Sequence, residues 1–148
     1  GEILLRPRDL RVARAVGVKN ILRGVVESLE EKMCRVRVGQ FVLETPVSNA
    51  PVGAEVNVCI RAERVVLMRP ERGEESRAEN VLVGELLRET SDGSTVTLYF
   101  RADAERLAPS QDFDLQIELP VYIYERLDLA QTRRWRVSVR RNGIHLIR

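Results

Sequence analysis

The chain states one phrase twice. Asn20-x-Leu22-x-Gly24 returns as Asn80-x-Leu82-x-Gly84, 60 positions on. A longer match pairs "VCIRAERVVLMR" (58–69) with "VSVRRNGIHLIR" (137–148), 79 positions on. In it Val58, Ile60, Arg61, Leu67 and Arg69 meet Val137, Val139, Arg140, Leu146 and Arg148. The two offsets give the second copy about 19 extra residues. Internal repetition restricts the chain to two versions of one structural unit. The expected units are 18–71 and 78–148, joined by a charged linker at 72–77. Neither is large enough for a generous core, so the pair is expected to bury surface between them.

From residue 20 onward the apolar residues recur with period two. Cys34, Val36 and Val38 alternate with Arg35 and Arg37; Val56, Val58 and Ile60 alternate with Asn57 and Cys59. The pattern continues through Val96–Phe100, Leu115–Leu119 and Trp135–Val139. Alternation over several short runs predicts half-buried strands of a small barrel or sandwich. Turns are expected at Asn49–Gly53, 72–75, Ser91–Gly93 and Asn142-Gly143, the last as a two-residue hairpin. Pro120 opens a helical turn that sets Val121, Tyr124 and Leu127 on one face. The first 17 residues differ: Leu10, Ala13 and Val16 share helical spacing after Pro7 and Asp9, and Gly17 ends that helix.

Charge and chemistry narrow the function. Lys and Arg number 24 against 22 Asp and Glu, a net charge of +2, too small to argue for nucleic acid. No run of 18 apolar residues spans a membrane, and the N-terminus lacks a signal-peptide pattern. Cys34 and Cys59 sit in strand-like runs and are expected as core residues. His145 is the only histidine. It forms no zinc site and no triad, and neither a P-loop nor a GxGxxG motif is present. No catalysis is expected of this chain, and no metal site.

The stretch "EILLRPRDLRVARAVGVKNIL" resembles the junction that follows the nucleotide-binding domain of importer-type ABC ATPases. The matching positions are Glu2, Ile3, Leu4, Pro7, Val12, Ala13, Gly17, Asn20, Leu22 and Gly24. Ala15 stands where the family has an aromatic residue. "LLRPRDLRV" also resembles the R-P-E-D strand of another TOBE subtype; the ungapped Val12-Ala13 and Val16-Gly17 favour the junction. The repeated units are similar to the TOBE or MOP domains that follow such junctions. "SRAENVLVGEL" resembles the S-A-R-N-x-L-x-G opening of molybdate-binding MOP domains. The implied fold is mainly all-β: two tandem OB-like barrels behind a short helical tail of an upstream ATPase domain.

The resemblance implies a regulatory region of an importer's ATP-binding subunit, cytoplasmic and peripheral to the inner face of the membrane. It would form a homodimer, reach the membrane subunits through the upstream domain, and sense a molybdate- or tungstate-class oxyanion. ATP and Mg would belong to the upstream domain. Such a site is implied at Asn20, Thr45, Ser48, Ser76 and Asn80. Neutral donors and converging backbone N–H groups suit a tetrahedral oxyanion. The second unit departs from the motif, with Arg77 and Glu79 in the Ser and Arg positions, and Pro120 and Ile123 in the Thr and Ser positions. Thr45 and Ser48 also read as ordinary turn chemistry, and Asn20 and Asn80 as turn or packing residues. Two alternatives stand beside this reading: a free-standing small-anion binding protein, and an OB-type nucleic-acid module. The low aromatic content, 5%, argues against the second.

Overall fold

The computed structural model describes residues 10–70 and 78–148. Its first element, α1 (Leu10–Ala15), ends where Gly17 takes φ +83°. Val18 N donates to Ala13 O at 3.0 Å and Gly17 N to Arg14 O at 3.1 Å. These bonds satisfy carbonyls that a helix end leaves orphaned, and glycine takes the left-handed angle without a Cβ penalty. The expected helix is therefore present. Its start signals, Pro7 and Asp9, lie outside the described residues, as does the linker turn at 72–75.

Ten strands follow: β1 (Asn20–Leu29), β2 (Cys34–Val38), β3 (Phe41–Thr45), β4 (Glu55–Ile60), β5 (Val65–Met68), β6 (Val81–Ser91), β7 (Thr95–Ala102), β8 (Leu115–Pro120), β9 (Arg134–Val139) and β10 (Ile144–Ile147). A second helix, α2 (Val121–Arg126), lies between β8 and β9. The strands form two five-stranded antiparallel sheets, ordered β10-β4-β1-β2-β3 and β5-β9-β6-β7-β8. The mainly all-β expectation holds. The repeat extends to irregularities: β1 shifts register against β2 between Val26 and Ser28, and β6 against β7 between Leu86 and Arg88. Such bulges bend a strand and deepen its twist, which curls each sheet.

The closing segments behave differently from the sequence expectation. Asn142-Gly143 does not make a two-residue hairpin. Arg141–Gly143 forms a 3-10 turn, and neither central residue takes the positive φ that such a hairpin requires. β10 instead crosses to the first sheet, where Ile144 pairs with Ile60 and Leu146 with Val58. β5 makes the reciprocal crossing: Val65 pairs with Val139 and Leu67 with Val137. Each sheet thus takes its last strand from the other repeat. The turn Ala62–Arg64 lies against β8, and Arg141–Gly143 against β3.

One core spans both sheets. Leu43, Val56, Val58 and Ile60 from the first repeat join Leu98, Phe100, Leu115 and Trp135 from the second, all 1% exposed or less. Val121, Tyr124 and Leu127 pack against it as one face of α2, as their spacing predicts. Cys59 lies in a smaller cluster with Ala13, Val18 and Ile147; both cysteines are buried and unbridged. Much of the second copy's extra length is the 103–114 loop between β7 and β8, where the first copy has only two residues between β2 and β3. Buried Asp114 organises it, accepting from Ala102 N and Ala108 N, each at 2.8 Å, and from Arg106 Nε at 3.2 Å. The loop docks on the first repeat, where Gln40 N donates to Arg106 O at 2.7 Å and Arg106 N to Gln40 Oε1 at 2.9 Å.

Candidate functional site

A cleft of about 440 Å³ opens where the exchanged strand β10 meets the end of β4. Its walls come from both repeats. The segment 46–50 supplies Ser48 and Asn49, the end of β4 supplies Cys59 and Arg61, and the following turn supplies Arg64. The second repeat adds Asn142, Gly143 and β10 with His145 and Arg148. Ser48 is fixed by its turn: its Oγ accepts from Ala50 N at 3.1 Å, and Ala50 is fully buried. The hydroxyl keeps its proton to give. Arg61 leaves β4 in extended conformation, φ −72° and ψ 130°, directly before the 3-10 turn.

The electrostatics are one-sided. Among the described lining residues stand Arg61, Arg64 and Arg148, with no Asp or Glu side chain. Glu63, outside the described lining, pairs with Arg61 at 3.9 Å. Burial pushes the Cys59 thiol up to about 11, so at neutral pH it faces the cleft uncharged. Guanidinium groups beside a hydroxyl, with no Asp or Glu among the described lining residues, form an environment for a compact anion.

The sequence-predicted residues separate in space. Ser48 lines the cleft. Thr45 lies beside it but is fully buried, and its Oγ donates to Pro46 O at 3.1 Å. Asn20 and Asn80 are clamps between the repeats. Asn20 Oδ1 accepts from Gln116 N at 2.7 Å, and its Nδ2 donates to Gln116 O at 2.9 Å. Asn80, at φ +48°, does the same to Glu44: its Oδ1 accepts from Glu44 N at 2.8 Å, and its Nδ2 donates to Glu44 O at 2.9 Å. A further bond runs from Asn80 Nδ2 to Val139 O at 2.8 Å. Each amide completes the outer edge of the opposite repeat's sheet, at β8 or β3. Ser76 lies outside the described residues. Arg61 was missed as a site residue, although its recurrence as Arg140 in the closing repeat was a visible signal.

A second cleft, about 610 Å³, occupies the repeat-related place at the end of β9. Ala78, Ser138, Arg140 and Val66 stand where the first has Val18, Cys59, Arg61 and His145. It differs by holding a carboxylate, Glu79.

This architecture has a counterpart of known structure. The chain superimposes on the cytoplasmic molybdate-binding protein ModG, solved with molybdate bound, at a TM-score of 0.72. The match covers 88% of this chain and 96% of that one, at 16% sequence identity. The fold is a ModG-like MOP fold. No family model and no curated protein sequence matches the chain. Among the described residues, no helix is long and apolar enough to cross a membrane.

Proposed function

We propose that this chain binds a tetrahedral oxyanion of the molybdate or tungstate class in the cleft of Ser48 and Arg61, as the accessory module of an importer's ATP-binding subunit. The observation that carries the binding role is a cleft with three arginines and no Asp or Glu among its described lining residues, built on a ModG-like MOP fold. Ser48 and the arginine forks donate to the peripheral oxygens, and the arginine charge balances the dianion. The role is binding rather than catalysis. The cleft is open, and a second copy of the chain in a homodimer would supply its missing wall. The importer assignment is supported by the junction motif, in which α1 and Gly17 lead straight into β1. In that setting ATP and Mg serve the upstream domain. The oxyanion inhibits transport only if it binds the inactive arrangement more tightly.

Calorimetric titration with molybdate, tungstate and sulfate tests the binding role. Arg61→Ala is expected to weaken binding by roughly 10- to 100-fold, the equivalent of one charged hydrogen bond. No heat from any of the three anions would sink the proposal. A second reading, a self-standing anion-binding protein, is favoured by the 96% coverage of ModG. An open reading frame with a P-loop immediately upstream of Gly1 would eliminate it.

A further inference from the structure

The two clefts are related by the repeat but carry different charge. In the second, the Glu79 carboxylate is gripped by the turn that follows β9. Arg141 N donates to Glu79 Oε1 at 2.7 Å, and Arg141 Nε donates to Glu79 Oε2 at 3.0 Å. Ser138 Oγ is also committed, donating to the Glu79 carbonyl at 2.7 Å. The carboxylate is partly withdrawn from solvent, its side chain 29% exposed. Arg141 is therefore already paired with an anion belonging to the chain itself, and Arg140 lines the same cleft.

The first repeat lacks both halves of this grip. Lys19 stands in the place of Glu79 and Ala62 in the place of Arg141. Lys19 turns away from the cleft: its Nζ pairs with Glu118 Oε2 at 2.7 Å and donates to Thr97 Oγ1 at 3.1 Å. Among the described residues lining the cleft of Ser48 and Arg61 there is no Asp or Glu to match Glu79.

We infer that Glu79 is a built-in anion that occupies the second cleft, so that each chain takes up one oxyanion rather than two, and that the second cleft is a latent oxyanion site. This rests on the oxyanion reading of the first cleft. The physics is competition. A tethered carboxylate is present at high effective concentration, and a free dianion entering beside it meets like charge at close range. Removing the negative charge leaves the Arg141 guanidinium and N–H, beside Arg140, without their internal anion and available to an external one.

The test is a binding ratio. Tungstate bound per chain is measured by equilibrium dialysis and elemental analysis for the wild type, Glu79→Gln and Glu79→Ser. Gln keeps the shape and an acceptor for Arg141 N; Ser clears the space. Thermal melts establish that each variant is folded. The expected ratios are one for the wild type and two for both variants. A folded variant still at one overturns the inference while leaving the first cleft intact. A wild-type ratio of two overturns it whatever the variants do. No tungstate on any of the three proteins removes the oxyanion reading itself, and the inference with it.

Discussion

Replacing Asn80 by Asp changes one NH2 group to an oxygen and leaves the shape intact. Asp also tolerates the left-handed backbone that Asn80 adopts, so strain is not introduced. What changes is the clamp. The acceptor for Glu44 N survives, but the donor to Glu44 O and Val139 O is lost, and an anionic oxygen then faces two carbonyls. Each lost bond is worth about 1 kcal/mol net, and stranding a buried partner raises this to about 1–3 kcal/mol. With the Val139 side of the clamp buried, the expected loss is about 3–4 kcal/mol. Asn20→Asp removes a single donated bond, to Gln116 O, and is expected to cost about 1–2 kcal/mol. Urea unfolding followed by circular dichroism and by Trp135 fluorescence measures both. The order should be Asn80 above Asn20, with an unchanged m-value, because the clamp joins the two sheets into one cooperative unit. Mild acid should narrow the Asn80→Asp deficit, since a protonated carboxyl regains one donor. A cost under about 1 kcal/mol for Asn80→Asp, or the reverse order, would refute the clamp as the reason for the repeated Asn.

Gly84→Ala is expected to cost more than Gly24→Ala. A Cβ on residue 84 meets the rigid backbone of Arg101 and Ala102, the latter's Cα at 2.9 Å, whereas at 24 the nearest atom is a methyl group of Val36 at 2.7 Å. Thermal melts rank the two. Gly39→Ala should loosen the 103–114 loop and speed its proteolysis, because φ is +58° and the new Cβ falls 2.6 Å from Arg106 O. Arg134 holds the Asp103 carboxyl below its usual value of 3.8, chiefly by a side-chain hydrogen bond. The stability from that pair is full at neutral pH and lost as pH falls through the lowered native value, so melting curves of wild type and Asp103→Asn should converge in strong acid. Residues 1–71 and 78–148 made separately should each be poorly folded alone and recover β structure on mixing. Gel filtration of the mixture should show a one-to-one complex, because β5 and β10 complete the opposite repeat's sheet.

How much of this was legible depends on how local its cause is. The strands were visible because burial at Cys34, Val36 and Val38 follows a period of two along the chain itself. The stop at Gly17 was visible because a helix end needs a left-handed residue within one turn. The exchange of β5 and β10 was not visible, since their residues match each other in the repeat. Val65 can pair with the end of either closing strand, and only the turn geometry at 62–64 and 141–143 decides which. Asn-Gly was read for its hairpin preference, but the flanking residues gain more by completing the other sheet, and tertiary pairing overrode local turn preference. The role of Asn20 and Asn80 was hidden for a similar reason: Asn20 and Gln116 lie 96 positions apart, and only their hydrogen bonds tie them together.

The strand exchange also explains why a duplicated chain carries two unequal clefts. Each cleft is made from both repeats, so a residue change in one repeat alters the wall of either cleft. The first cleft owes Ser48, Cys59, Arg61 and Arg64 to the first repeat, but His145 and Arg148 to the second. The second combines Val66 and Met68 of the first repeat with Ser138, Arg140 and Arg141 of the second. Positions that serve the shared scaffold, the Asn clamp and the close-packed Gly, are constrained twice over: losing either would open a sheet edge and strand buried backbone groups. Lys19 and Glu79 are each matched by their own partners, Lys19 by Glu118 and Thr97 and Glu79 by Arg141, so the two copies hold opposite charges at this position on the same scaffold. The repeated Asn-x-Leu-x-Gly is thus the part of the unit that must stay the same, and the residue immediately before each Asn is where the two copies acquire different electrostatics.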